Sequence, residues 1–187
     1  ESDPVFNSFI TLGAYKYSFL VQVSREMIED AGVDILSFIA SQAGAELGFR
    51  VGAALTTGSG TNQPKGIVAA SAVGGTAAGT AVLAGNDLIN LYTDGIYLFS
   101  PSLAVDVPDT LLGRQIYENP SMADLATTSK SVIVGHLPSY YVRQVGGIKI
   151  DVSDDFAFSA DLRTFRCTFR VDGNLPQTSH VKHLLQP

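Results

Sequence analysis

The residues with the clearest potential for chemistry are His180 and His183, near the end of the chain. Their i,i+3 spacing would place both imidazoles on one face of a helix, where they could share a metal ion. No third ligand at a recognisable spacing accompanies them, so an exposed C-terminal segment is the favoured interpretation. We therefore expect no metal site here and no bound phosphate near Lys65.

Residues 58–66 superficially resemble a phosphate-binding loop. That motif needs a hydroxyl residue directly after its lysine, whereas Pro64 precedes Lys65 and Gly66 follows it. The loop also comes after a predicted helix, and the C-terminal end of a helix has the wrong dipole for a phosphate. These features predict no nucleotide and no other cofactor.

Nucleophilic or carboxylate catalysis has no recognisable motif either. No Gly-x-Ser-x-Gly elbow is present, and the adjacent Asp154 and Asp155 suit a turn, where Asp side chains bond to the local backbone. The only cysteine, Cys167, alternates with Phe165 and Phe169, which predicts a buried strand residue in a reducing compartment. A small hydrolase or nucleotide-binding enzyme is a remote alternative that would need a deep pocket with titrating groups.

The composition favours a protein that assembles. Charged residues make up 16% of the 187 residues, well below the roughly 25% of ordinary soluble domains, so much of the surface is uncharged or covered. A net charge of -6 with 12 scattered basic residues argues against a nucleic-acid-binding surface. No apolar run approaches the ~20 residues of a membrane span, and we expect no membrane association.

The first half of the chain predicts a strand followed by one long helix. Apolar residues alternate from Tyr15 to Val23, and Ser24 can cap a short helical turn up to Asp30. Asp34 is a suitable N-cap for a helix over residues 34–56, with Gly58 as a left-handed stop. Its apolar residues recur at four-residue spacing: Ile35, Ile39, Ala43, Leu47, Val51 and Leu55.

Three glycines, Gly44, Gly48 and Gly52, repeat inside this helix. Each costs roughly 1 kcal/mol relative to Ala, so we expect close approach by a neighbouring strand or subunit. Glu46 and Arg50 argue against the alternative, a dimerisation face within a membrane.

The second half predicts strands joined by turns. Residues 69–84 form a loop or weak strand, and a short helix near Asp87 breaks off after Tyr92. The expected strands are 132–134, 140–142, 148–152 and 162–171, with turns at 146–147, 154–155 and 172–173. The fold class is therefore α+β with mostly antiparallel strands, of which 148–152 and 162–171 pack along the long helix.

Three segments, residues 23–31, 57–67 and 165–173, resemble the phage major capsid family of the Hong Kong 97 type. Residues 109–114 and 132–141 are similar to further segments of that family, so the resemblance covers most of the chain from residue 15 onward. It implies that residues 1–23 end an extended loop, that 24–63 and 146–175 form a peripheral domain around a spine helix, and that 64–145 and 176–187 form an axial domain.

The resemblance also shows departures from the family. The family carries a further strand and helix between Tyr92 and Thr93, so we expect a chain break between residues 90 and 95. Some members cross-link their subunits through a loop Lys and an Asn, with the help of a Glu. Here Thr168 and the region of Asp161 occupy the Glu and Asn positions, so cross-linking is not supported.

The function implied is that of a structural protein and not an enzyme. Pentamers and hexamers of this chain would build an icosahedral head around DNA, without sequence-specific contact, after assembly in the bacterial cytoplasm. The family further implies a scaffolding segment or protein, a portal and a head maturation protease as partners. An encapsulin-type compartment shell is the alternative with the same fold. Candidate positions for subunit contact or close packing are Tyr15, Lys16, Gly44, Gly48, Gly52 and Arg170.

Overall fold

The computed structural model describes residues 10–30, 34–77, 79, 96–99, 110–111 and 114–187. The helices are α1 (Arg25–Asp30), α2 (Ile35–Thr57) and α3 (Ile67–Ala70). The strands are β1 (Tyr15–Ser24), β2 (Ala72–Thr76), β3 (Ile96–Phe99), β4 (Thr110–Leu111), β5 (Arg114–Glu118), β6 (Val132–Gly135), β7 (Tyr141–Gln144), β8 (Lys149–Ala157), β9 (Leu162–Asn174) and β10 (Val181–Leu185). The predicted short helix near Asp87 and the predicted break at 90–95 lie outside the described residues.

The long helix is confirmed, and so is its N-cap. The Asp34 carboxylate accepts hydrogen bonds from the backbone N–H groups of Leu36 at 3.0 Å and Ser37 at 3.3 Å, which satisfies two donors that the first turn leaves free. The predicted left-handed stop at Gly58 is wrong, because its backbone is extended (φ -54°, ψ 140°). Glycine is required there for another reason: an added Cβ would clash with the carbonyl oxygens of Ala54 and Pro64.

A four-stranded antiparallel sheet packs against α2. In it β9 pairs with β1 along one edge and with β7 and β8 along the other. Ile35 and Ile39 of α2 pack against Phe165, and further along the helix Ala43 and Leu47 enclose Cys167. The predicted packing of the two C-terminal strands along the helix is therefore confirmed, and Cys167 is the buried strand residue that its context indicated.

A second sheet holds most of the remaining described chain. Its strand order is β2-β10-β6-β3-β5-β4, with parallel pairing only for β2 with β10 and for β3 with β5 among the described strands. All four residues of β6 are buried. The core beside it contains Ile67, Val68, Ala70, Met122, Ile133, Leu175 and Val181.

Three predictions for the C-terminal part need correction. Asp172 and Gly173 lie inside β9 and do not form a turn, and Asp154 and Asp155 lie inside β8, where the pairing with β9 shifts register. The predicted exposed C-terminal segment is wrong, because it is the inner strand β10, in which His183 is only 2% exposed. In the first two cases the hydrogen bonds of a sheet outweigh a local turn preference, and in the third a strand pairs on both sides within the sheet.

Candidate assembly surface

The four-stranded sheet has one face that α2 does not cover, which we call the outer face. Side chains alternate along a strand, and directly paired residues lie on the same face. The outer face therefore carries three rows of side chains: Lys16, Ser18, Leu20 and Gln22 on β1; Arg170, Thr168, Arg166 and Thr164 on β9; and Lys149, Asp151 and Ser153 on β8.

Two predicted contact residues, Lys16 and Arg170, are directly opposite each other on this face. Both side chains are exposed, and neither forms an ion pair with another described residue. Like charges at directly opposite positions of an antiparallel pair are destabilising. Within the described chain, this end of the outer face is therefore a cationic site without an ion-pair partner.

The next two basic residues on the same face, Lys149 and Arg166, share one acidic partner. Asp151 accepts from Arg166 at 2.8 Å and forms an ion pair with Lys149 at 2.9 Å. The hydrogen bond from Arg166, followed by that from Lys149, lowers the pKa of the Asp151 carboxyl below its ordinary value. Asp151 thus remains ionised and offsets one of these two positive charges, whereas Lys16 and Arg170 have no ion-pair partner among the described residues.

Tyr15 begins β1 opposite Val171, so it lies on the other face of the sheet from Lys16. With Ser59, Gln63 and Lys65 it lines an open hollow of about 330 Å³. The structure therefore brings Lys16 and Arg170 together, while Tyr15 belongs to a separate surface near the turn that follows α2.

The three helix glycines do not meet a neighbouring strand. No atom of the described residues lies within 4 Å of a Cβ built at Gly44, Gly48 or Gly52. The predicted close approach by a strand of the same chain is therefore wrong. Approach by another subunit remains a prediction, and the exposed Phe38 and Phe49 on the same helix add apolar area beside the glycines.

A buried carboxylate that the sequence did not single out holds the segment before β1. The Asp172 carboxylate accepts from the backbone N–H groups of Gly13 and Gly173, while the Arg143 guanidinium donates to the carbonyl oxygens of Leu12 and Gly13. The Asp172-Gly173 dipeptide predicts a turn from the sequence. Only the pairing of β7 with β9 shows that Asp172 and Arg143 together hold the segment at residues 12–13, which we call the clamp.

Tyr140 lies near the same clamp. Its hydroxyl donates to the carbonyl oxygen of Lys65 at 2.8 Å, which joins the turn after α2 to the start of β7. Burial, and then the negative charge of Asp172, raise the pKa of Tyr140 well above its ordinary value. The phenol therefore serves as a hydrogen-bond donor and not as an acid.

The two C-terminal histidines, considered above as a metal pair, have different neighbours. His180 Nδ1 lies 2.7 Å from Ser139 Oγ, which is also 2.8 Å from His136 Nδ1. His183 Nδ1 lies 2.9 Å from Ser71 Oγ. The described residues contain no group of three or more His, Cys, Asp or Glu side chains that could hold a metal ion.

His183 is held in its neutral form. Ser71 Oγ donates to the carbonyl oxygen of Val68 at 2.8 Å, so it accepts from a protonated His183 Nδ1. Burial, followed by the positive charge of Lys130, lowers the pKa of His183 to about 4. Its Nε2 is buried without a hydrogen-bond partner among the described residues, as are both amide atoms of Gln186.

In the described part of the chain, no helix is long and apolar enough to span a membrane. The single thiol is not a reactive one, because burial raises the pKa of Cys167 above its ordinary value.

Comparison with solved structures places this architecture among capsid subunits. A subunit of an empty GTA particle capsid, computed with C5 symmetry, superposes with a TM-score of 0.83 at 15% identity, covering 100% of this chain and 79% of that one. The Microbacterium phage Oxtober96 structure gives a TM-score of 0.72 at 14% identity, with 94% and 73% covered. An encapsulin from Synechococcus elongatus gives 0.68 at 12% identity, with 93% and 73% covered.

No curated protein matches the sequence. The sequence profile of the phage capsid family matches it in two stretches, residues 2–94 and 88–184, which together span almost the whole chain. The mixed α and β architecture of the described residues agrees with that family, as the sequence predicted. This protein belongs to the phage capsid family and is a structural capsid protein.

Proposed function

We propose that this chain self-assembles into the closed icosahedral head shell, of the Hong Kong 97 type, that encloses phage DNA. The observation that carries the proposal is the family match over residues 2–94 and 88–184. The likeness to a subunit from a particle computed with C5 symmetry supports a shell that contains five-fold positions. The chain would act in the virion, after assembly in the bacterial cytoplasm.

The proposed shell would consist of pentamers and hexamers of this one chain. Several large apolar side chains are exposed in the single subunit, including Phe49 at 66% and Phe158 at 73%. Exposed apolar area of this kind commonly marks a surface that another molecule covers. A scaffolding segment or protein, a portal and a head maturation protease would be further partners. DNA would be enclosed without sequence-specific contact, and no catalysis or cofactor is part of the proposal.

We further propose two domains that correspond to the two sheets. From the sequence, residues 24–63 and 146–175, with α2 as spine, form the peripheral domain, and 64–145 with 176–187 the axial domain. Because β1 and β7 (Tyr141–Gln144) both pair with β9, we propose to move these two strands into the peripheral domain. The family match divides at residues 88–94, which supports an axial domain that is incomplete after residue 92.

A second candidate is an encapsulin-type shell that encloses protein cargo. The likeness to the encapsulin from Synechococcus elongatus favours this candidate. Both candidates predict closed shells, and they differ in what the shell contains.

Electron microscopy of the full-length protein expressed in bacteria tests both candidates. We expect closed, uniform shells, and heads purified from phage-producing cells should contain double-stranded DNA protected from nuclease. Shells that contain a folded protein cargo and no DNA would favour the encapsulin candidate. A protein that remains monomeric at high concentration, with or without its scaffolding partner, would contradict both.

A further inference from the structure

We propose that the cationic site at Lys16 and Arg170 binds the acidic end of the same sheet on a second copy of the chain, in a head-to-tail contact. This inference rests on the proposed self-assembly and specifies which surfaces meet. It starts from the two ends of β1, where Lys16 with Arg170 at one end and helix α1 at the other carry opposite charges that form no ion pair among the described residues.

The cationic end requires a partner for a physical reason. Lys16 and Arg170 are directly opposite on adjacent strands, and such like-charged pairs destabilise a sheet unless an anion lies between or above them. The only acidic residue of β9 beyond Arg170, Asp172, is buried, and its oxygens accept from Gly13 and Gly173. Within the described chain, no carboxylate is within ion-pair distance of this pair.

The acidic end lies where β1 finishes. The short helix α1 carries Glu26, Glu29 and Asp30, which are all exposed, and their spacing places them on neighbouring positions of one helix surface. None of the three forms an ion pair with another described residue. The neighbouring cation Arg25 is paired with Asp161 at 3.4 Å. Among the described residues, the acidic end thus has three carboxylates without an ion pair for the two unpaired cations Lys16 and Arg170.

The distance between the ends determines the kind of contact. Lys16 and Ser24, the residue before α1, are eight positions apart along β1, which corresponds to ~27 Å at the rise of a strand. Two complementary patches so far apart on one subunit cannot neutralise each other. They can do so between copies, and a head-to-tail contact of this kind produces a ring when its rotation closes.

Charge also favours a second copy over DNA as the partner. The chain has a net charge of -6, and surfaces that bind DNA concentrate many basic residues into a stripe. Here the adjacent Lys149 and Arg166 share the single carboxylate of Asp151, so the described outer face has only a small excess of positive charge. Such a small excess matches a patch of three carboxylates better than a long phosphate backbone.

Charge reversal in the full-length protein tests the contact. One variant carries Lys16→Glu with Arg170→Glu, a second carries Glu29→Lys with Asp30→Lys, and a third carries all four changes and so keeps the wild-type net charge. Facing like charges oppose association, so each two-residue variant should associate at least about tenfold more weakly in sedimentation velocity. The four-residue variant should regain association, because its two ends are complementary again.

Arg50→Glu, an exposed change on α2 with only a surface ion pair to Glu46, is the control and should assemble like the wild type. Circular dichroism and urea unfolding check that every variant is folded. Mixing the two two-residue variants should give heteromers, because each then supplies the end that the other needs.

Four results would overturn the inference. If shells form equally well in the wild type and in both two-residue variants, the proposed contact is rejected while the proposed function remains intact. Failure of the four-residue variant to recover, although it is folded, would reject the contact as well. A Lys16→Glu, Arg170→Glu variant that assembles normally but loses binding of duplex DNA in fluorescence anisotropy would identify DNA as the partner. If the wild type forms no shells, the proposed function fails. The contact is then tested separately by the mixture of the two two-residue variants, and the absence of heteromers in it would reject the contact.

Discussion

The two sheets of this subunit provide opposite environments for their strands. The four-stranded sheet rests on α2 through one face and exposes the other, which bears Lys16, Leu20 and Arg170. In the six-stranded sheet, all of β6 is inaccessible to solvent, with Val132, Ile133 and Val134 at 0% exposure. The difference shows that one sheet leaves a face open to solvent, which we propose as a contact surface, while the other supplies the core of its own region.

Truncation of a side chain should have the most different effects on stability in the two sheets. We expect Ile133→Ala to lower the free energy of unfolding by about 2–5 kcal/mol, because it leaves a cavity in a closed core. Leu20→Ala should lower it by less than about 1 kcal/mol, because Leu20 is already 53% exposed. Urea unfolding of the unassembled subunit measures both values. Equal losses would show that the outer face is packed after all.

Acid should destabilise the six-stranded sheet through His183. Its pKa in the folded chain is about 4, against an ordinary value of 6.5, so between these values the unfolded chain binds a proton that the folded chain does not. Stability is therefore fully present above pH 6.5 and falls as the pH drops to 4, by about 3 kcal/mol in total.

Urea unfolding at several pH values tests this dependence. The variant His183→Gln should lose most of the slope between pH 6.5 and 4. The matched control His180→Gln changes an exposed imidazole, so the slope of stability between pH 6.5 and 4 should remain. An unchanged slope in His183→Gln would assign the acid sensitivity to other groups.

The junction between the two sheets can be probed at Tyr140. Tyr140→Phe removes the hydrogen bond to the Lys65 carbonyl oxygen and should lower the free energy of unfolding by about 1 kcal/mol. Tyr141→Phe is the control, since that side chain is 59% exposed and should shift stability by less than about 0.5 kcal/mol. A spectroscopic pH titration should show one fewer tyrosine of raised pKa in Tyr140→Phe. The same number in both variants would refute its buried role.

The smallest expected effect concerns the glycines of α2. Gly48→Ala should raise the stability of the single subunit by about 0.5–1 kcal/mol, because Ala favours a helix and the added methyl group meets no described neighbour. If another subunit approaches the helix here, as predicted from the sequence, assembly of the same variant should be impaired. A variant that is more stable and still assembles normally would remove these glycines from the subunit contacts.

Local patterns predicted the elements on the exposed side of the subunit well. The alternation from Tyr15 to Val23 indicated β1, and Asp34 with its four-residue apolar spacing indicated α2. These signals work because a half-buried strand or helix shows its periodicity directly in the sequence. In β10, Val181, His183 and Leu184 are all buried, so the strand lacks a clear alternation, and the sequence predicts an exposed tail in its place.

The candidate surface was only partly visible in the sequence. Lys16 and Arg170 could be named as contact positions, but their positions 154 residues apart gave no sign that they are opposite each other. Likewise, the spacing in the sequence pairs His180 with His183. In the structure, His180 instead contacts Ser139, which also contacts His136. Such pairings depend on strand register, and no local pattern encodes register between distant strands.

The sequence by itself determined the family, the long helix and its cap, the α+β class and the acidic, sparsely charged character of the chain. These follow from composition and from interactions between residues close together along the chain. Only the tertiary structure decided that Asp172 holds the segment before β1, that His183 is buried and neutral, and that Lys16 and Arg170 face each other with no carboxylate of the described residues paired to them. Each of these depends on strands far apart in sequence being brought within hydrogen-bonding distance, where burial and neighbouring charge, and not residue type, determine what a side chain does.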